Sequence, residues 1–313
     1  MNRAVRPPRR RVDGVLLLDK PPGVTSNAAL QRARRALRAE KAGHTGTLDP
    51  LASGVLPLCF GDATKFAQAL LDARKEYVAT LLFGASTTTG DAEGEVVEKA
   101  PVAFTTDELA AALRRFEGDI MQLPPRHAAL KFQGRAYYEY ARAGLDVPRV
   151  PRLATIHALD LVEWTPPVAT LRVVCGKGTY VRVLAEDVAR ALGSRAHLAG
   201  LRRTASGPFR IESAVDLAAV EARAPTEIDA WLLPVDAALA ALRRLDLDGR
   251  SVDALRHGRI VGGAAVADGL WRCYGPDGRF AGVAHATAGT LRASRMLRSG
   301  GEGAAAPRRP GVE

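Results

Sequence analysis

The sequence has 313 residues, enough for about two domains, with 47% hydrophobic and 25% charged residues, as in an ordinary soluble protein. Lysine and arginine number 44 against 34 aspartate and glutamate, and the formal net charge of +10 suits a polyanionic partner. Cys59, Cys175 and Cys273 form no CxxC pair, no run approaches the roughly 18 apolar residues of a membrane span, and no apolar run long enough for the core of a signal peptide follows the Arg-rich N-terminus. A disulfide framework, a zinc site, a membrane span and a secretory signal are therefore not expected, and a reducing cytoplasm is.

Residues 1–11 hold Arg3, Arg6, Arg9, Arg10 and Arg11 around Pro7-Pro8 and read as a disordered basic arm. Gly14 to Asp19 predicts a buried strand, ended by Lys20-Pro21-Pro22-Gly23. Thr25 or Ser26 can cap a helix to about Glu40, with Leu30, Ala33 and Leu37 as its apolar stripe. Arg32, Arg34, Arg35, Arg38 and Lys41 make that helix strongly basic. A loop over 41–53 precedes a strand at Val55–Phe60 and a helix from Asp62 through Leu71. Tyr77–Phe83 predicts a strand and Gly90–Gly94 a hairpin turn. Helices are expected at Thr106–Phe116 and Ala136–Gly144, strands at Ala154–Trp164 and Val168–Cys175, and a helix at Val181–Leu192 stopped by Gly193.

Strands and helices mix without regular alternation, which predicts an α+β domain over 12–240 with a mixed, largely antiparallel sheet. Short β-like runs between Gly262-Gly263, Asp268-Gly269 and Asp277-Gly278 predict a small β-rich domain over 241–298. The Gly-, Ala- and Pro-rich tail 299–313 is expected to be disordered.

The densest motif is Gly43-His44-Thr45-Gly46-Thr47-Leu48-Asp49-Pro50-Leu51-Ala52-Ser53-Gly54, a long polar loop of the kind that carries function. It is neither a P-loop nor a dinucleotide fingerprint, and an isolated Asp-Pro would read as a turn. Asp91, Glu93 and Glu95 do not fit the register of a calcium loop. The string continues as Val55-Leu56-Pro57 and Gly61-Asp62-Ala63-Thr64-Lys65. Others precede and follow it: Leu18-Asp19-Lys20-Pro21-Pro22-Gly23, Lys75-Glu76-Tyr77, Thr89-Gly90-Asp91, Gln122-Leu123-Pro124-Pro125, Tyr138 to Arg142, Gly176 to Arg182, and Ala196-His197 with Leu201-Arg202-Arg203.

In these strings and their order the chain resembles the bacterial tRNA pseudouridine-55 synthases of the TruB type, strongly over residues 12 to 210. The resemblance makes 12–240 a catalytic domain with a central RNA-binding cleft and implies isomerisation of a T-loop uridine in tRNA, with the base flipped out of its stack. The C1′–N1 bond breaks and C1′ joins C5, with no redox cofactor and no metal. Asp49 is then the catalytic carboxylate, with C1′ attack, sugar deprotonation and addition to the base left open. The resemblance pairs Arg182 with Asp49, makes Tyr77, Tyr180 and Leu201 walls for the base, and puts His44 against the RNA. Lys20 and Lys65 would touch phosphate or order the Asp49 loop. The region 241–298 loosely resembles a PUA-like RNA-binding appendage. One departure is Arg126-His127 after Pro124-Pro125, where the family usually has an aromatic residue and a small polar one. A T-arm stem-loop partner, no membrane and a monomer complete the expectation. A silent RNA-binding protein and a nucleoside hydrolase are the rivals.

Overall fold

The computed structural model describes residues 8–263 and 265–298; Arg3, Arg6 and the whole 299–313 tail lie outside the described residues. The chain opens with β1 (Gly14–Lys20), α1 (Ser26–Ala36), β2 (Ala42–His44), β3 (Ser53–Phe60), a 3-10 turn at Gly61–Phe66, α2 (Ala67–Asp72) and β4 (Lys75–Phe83). A short ribbon, β5 (Ala85–Thr87) and β6 (Val96–Lys99), then leads to α3 (Thr106–Arg114) and β7 (Gly118–Gln122). A two-stranded excursion, β8 (Lys131–Phe132) and β9 (Arg135–Ala136), with α4 (Tyr137–Arg142), precedes β10 (Arg152–Thr165), β11 (Val168–Cys175), α5 (Val181–Ala191) and β12 (Ala196–Ser206). The body closes with β13 (Phe209–Arg210), β14 (Val215–Asp216), α6 (Leu217–Glu221) and α7 (Pro225–Asp229).

Ten strands form one sheet in the order β14-β1-β3-β12-β4-β11-β10-β7, with β13 on β12 and β2 on β3. Its pairings are antiparallel except β1 with β14 and β3 with β12, which confirms the mixed, largely antiparallel α+β reading. The parallel β3–β12 contact is very close. A Cβ on Gly54, at φ +105°, would lie 2.2 Å from the Arg203 carbonyl oxygen, so only glycine lets the strands meet here. Helices α3 and α5 cover one half of the sheet, around Leu81, Val173, Leu184 and Val188. Helices α1 and α6 cover the other, around Leu16, Leu18, Leu30 and Leu56. Burying these aliphatic side chains is the main favourable term, on the order of 2 kcal/mol for each fully buried one.

Helix α1 starts where its cap predicts: the Thr25 side chain accepts from Ala28 N at 3.1 Å. It stops at Ala36, short of the expected Glu40, because Arg38 turns left-handed (φ 53°) and Ala39 bridges back to Arg10. Arg10 also grips Asp229 through both terminal nitrogens, so the last part of the expected arm is tied into the body. The basic face of α1 is largely used internally: Arg32 pairs with Glu221, Arg34 caps Ala39 O, and Arg38 reaches Pro8 O.

A smaller five-stranded sheet follows, built from β15 (Arg243–Asp246), β16 (Val261–Gly262), β17 (Gly269–Tyr274), β18 (Phe280–Thr287) and β19 (Thr290–Met296), in the order β15-β17-β18-β19-β16. Helix α8 (Gly249–Arg256) closes it around Leu255, Trp271 and Leu291. Asp236 of the body accepts from the Tyr274 hydroxyl and from Arg272 at 3.3 Å, and Phe66 stacks edge-on against Phe280 at 5.3 Å.

Candidate active site

The Asp49 loop leaves the sheet between β2 and β3 and is fastened at many points. Thr45 N donates to Pro57 O (3.1 Å), Leu48 N to Ser26 Oγ (2.8 Å), Gly23 N to Pro50 O (2.8 Å), and Ala52 N to Asp49 O (3.1 Å). Two buried cations complete the cradle. Lys20 is fully buried and donates to Pro21 O (2.8 Å) and Val24 O (2.6 Å), with Pro50 O at 3.4 Å. Arg203, 1% exposed, donates to Val55 O (2.7 Å) and Gly46 O (3.0 Å). Such a loop has little freedom left, so a carboxylate that it presents to the cavity is held in place.

That carboxylate is Asp49. Arg182 Nε donates to its Oδ2 at 2.9 Å. The two groups differ sharply in burial: the Asp49 side chain is 39% exposed and that of Arg182 only 6%. Arg182 also donates to Thr89 O (2.8 Å) and His127 O (3.1 Å), and Asp91 Oδ2 lies 3.7 Å from its Nε. A guanidinium taken out of water needs such full partnering, and a fork so constrained can aim at one carboxylate. Asp49 is left with a face toward an open cavity.

The cavity, about 260 Å³, is lined by Asp49, Tyr77, Tyr180, Arg182, Leu201 and Arg203, with His127 to Ala129 on one side and Gly176 to Thr179 on another. Four elements meet here: the Asp49 loop, β4 (Tyr77), the start of α5 (Tyr180, Arg182) and β12 (Leu201, Arg203). Burial pushes both tyrosine hydroxyls above the ordinary phenol value, so both stay protonated at neutral pH.

The matching family models run along most of the chain: TruB family pseudouridylate synthase (N-terminal domain) over 34–181, tRNA pseudouridylate synthase B C-terminal domain over 182–240, and pseudouridine synthase II TruB, C-terminal, over 244–297. The tRNA pseudouridine synthase B of Thiobacillus denitrificans is 53% identical over 293 residues, covering 94% of this chain and 98% of that protein. The chain belongs to the TruB family. The Cupriavidus metallidurans tRNA pseudouridine synthase B is 51% identical over 306 residues, covering 95% and 98%. Among solved structures, a Cbf5-Nop10-Gar1 complex matches with TM-score 0.67 and 30% identity, over 88% of this chain and 78% of that one. An H/ACA RNP bound to a substrate RNA containing 2′-deoxyuridine matches with TM-score 0.68 and 25% identity, over 91% and 85%.

Three residues expected in the site of this TruB-family chain stand elsewhere. Lys65 does not line the cavity; it pairs with Asp62 at 2.8 Å in the 3-10 turn. Lys20 is buried under the loop, so of its two expected tasks the structure favours loop ordering over phosphate contact. Burial lowers its pKa to about 8. His44 ends β2, half-buried and outside the cavity lining; its Nδ1 is buried with no partner, and burial, then Arg203, holds the ring below the usual histidine pKa. Conversely, Arg203, Lys75 and Gln122 have structural tasks at the site that no local pattern announces. Lys75 is 6% exposed and spends its ammonium on the carbonyls of Leu70, Leu71 and Ala73. Their one sequence signal is membership of strings shared with the family.

Proposed function

We propose that this chain converts the T-loop uridine of tRNA, position 55, to pseudouridine, with Asp49 acting at or beside C1′ of a flipped-out nucleotide. Pseudouridine synthesis on tRNA follows from family membership, since named tRNA synthases share 51–53% identity along nearly the whole chain. The single observation that supports the finer reading is the Arg182–Asp49 pair at 2.9 Å, opening onto a cavity walled by Tyr77, Tyr180 and Leu201. The cavity suits one nucleoside rather than a stem, so the base must leave its stack to enter.

Arg182 keeps Asp49 ionised while substrate displaces water from the carboxylate's open face. The ring of Tyr77 or Tyr180 offers a flat wall for uracil. Cleavage of C1′–N1, rotation of the base and closure of C1′–C5 require one proton to leave C5 and one to reach N1. No atom is lost, and the protein's groups only hold charge and move protons. We read the protein as a monomer and its setting as the cytoplasm. The 241–298 domain serves as the PUA-like RNA-binding appendage.

The test uses a T-arm stem-loop and site-mapped pseudouridine detection. Parent protein should modify the T-loop uridine without mass change, and Asp49→Asn should not. Release of free uracil would point instead to a hydrolase, and unmodified but tightly bound RNA to a silent binding protein.

A further inference from the structure

Gln122 is 2% exposed and does not line the cavity. Its side-chain amide is spent on one backbone residue. Tyr180 N donates to Gln122 Oε1 at 2.9 Å, and Gln122 Nε2 donates to Tyr180 O at 3.2 Å. This is the two-bond exchange that a facing residue makes in an antiparallel ladder, supplied here by a side chain. Tyr180 caps α5 without any side-chain cap of its own, and its carbonyl also accepts from Leu184 N at 3.0 Å. The direction in which α5 starts therefore depends on the Gln122 amide.

Two residues further along, Arg182 points its fork at Asp49, Thr89 O and His127 O. Gln122 also ends β7, and the segment that brings His127 to Arg182 begins at the next residue. One buried amide thus stands at the root of two supports of the guanidinium: the helix that carries it and the segment whose carbonyl receives it.

We infer that Gln122 is a positioning residue for the reaction: it sets the first turn of α5, and with it the aim of Arg182 on Asp49 and the placing of Tyr180 in the cavity wall. The inference rests on the reading of Asp49 and Arg182 as the reactive pair. A glutamine that served packing alone would affect how much protein folds, not how fast folded protein reacts.

Two variants separate these roles. Gln122→Leu keeps bulk and removes both hydrogen bonds. Gln122→Glu keeps an acceptor when ionised and, when protonated, regains an O–H donor in nearly the same place. Single-turnover rates and stem-loop Kd are measured on full-length protein, with the folded fraction checked by circular dichroism at each pH. Gln122→Leu should slow the chemical step on the order of 10- to 100-fold, the scale of a small misplacement of a reacting group. Its Kd should stay within a few-fold of the parent.

The rate of Gln122→Glu relative to the parent should rise as pH falls from about 8 to about 6, because burial raises the carboxyl's pKa. Parent-like rates for folded Gln122→Leu, or a pH-independent ratio for Gln122→Glu, would overturn the inference. Should Gln122→Leu not fold, the Gln122→Glu profile decides alone. The reading beneath is checked separately: an active parent and an inactive Asp49→Asn uphold it whatever Gln122 does, and an inactive parent removes both.

Discussion

The region of the ten-stranded sheet, the body, and that of the small five-stranded sheet spend their charge differently. Residues 12–240 contain 27 lysines and arginines and 27 aspartates and glutamates, so the body is neutral overall. Residues 241–298 contain ten arginines and five aspartates. In the body the notable cations are interior parts: Arg182, Arg203, Lys20 and Lys75 are all nearly or fully buried and partnered by carbonyls or Asp49. In the small domain, Arg292 and Arg295 of β19 are exposed. The contrast teaches that a basic protein need not hold its charge surplus around its candidate site: the buried cations there are fixed by geometry in a dry setting, where salt barely screens them, and under the proposed function the exposed arginines are the ones to act on phosphate.

The sharpest way to break this division is Asp49→Asn. Turnover should fall by at least about 10³-fold, while filter-binding Kd for the stem-loop changes little. A comparable loss of binding would place Asp49 in affinity rather than chemistry. Arg182→Lys comes next. It keeps the charge but loses the fork that serves Asp49, Thr89 O and His127 O together, so the single-turnover rate should drop about 10²-fold with an unchanged salt slope of binding. A near-parental rate would contradict the pairing.

The third effect is smaller and opposite in kind. Arg292→Ala with Arg295→Ala should weaken tRNA binding and reduce the slope of log K against log salt by roughly 0.7 to 0.9 per lost phosphate contact, with the saturated rate preserved. An unaltered slope would remove the small domain from the RNA interface. The smallest concerns stability. Burial lowers Lys20 and Lys75 to a pKa of about 8. Between pH 8 and the ordinary lysine value near 10.4 the unfolded chain therefore binds more protons, and these two groups favour folding increasingly as pH rises. The urea midpoint should move less favourably from pH 7.5 to pH 9.5 in a Lys20→Met, Lys75→Met double variant than in the parent. An equal or better response would show that these lysines are not desolvated.

Where local rules operate, the fold was legible. The Thr25 cap, the Val168–Cys175 strand and the Gly193 stop of α5 stand where spacing and turn chemistry put them. Strand β12, central to the sheet, was not foreseen. Bulges at Leu198/Gly200 and Arg203/Ala205 break its alternation, and its buried positions include His197, Arg203 and Ser206 in place of aliphatic residues. Helix α8 was missed too, because Val252 and Leu255 are its only buried residues. The expected helix from Asp62 is split into a 3-10 turn and a short α2. Lys65 was assigned to the site on motif membership, yet its ammonium goes to Asp62, three residues away.

The sequence by itself determined the family, through ordered strings such as Gly43–Gly54 and Gly176–Arg182, and it singled out Asp49. Tertiary structure alone decided which cations are buried parts and which stay exposed, and it fastened the Asp49 loop from both sides. Arg182 meets Asp49 across 133 residues of sequence, and Gln122 meets Tyr180 across 58. Desolvation and hydrogen-bond geometry arise only when distant segments are brought together, so a side chain's local pattern does not record them.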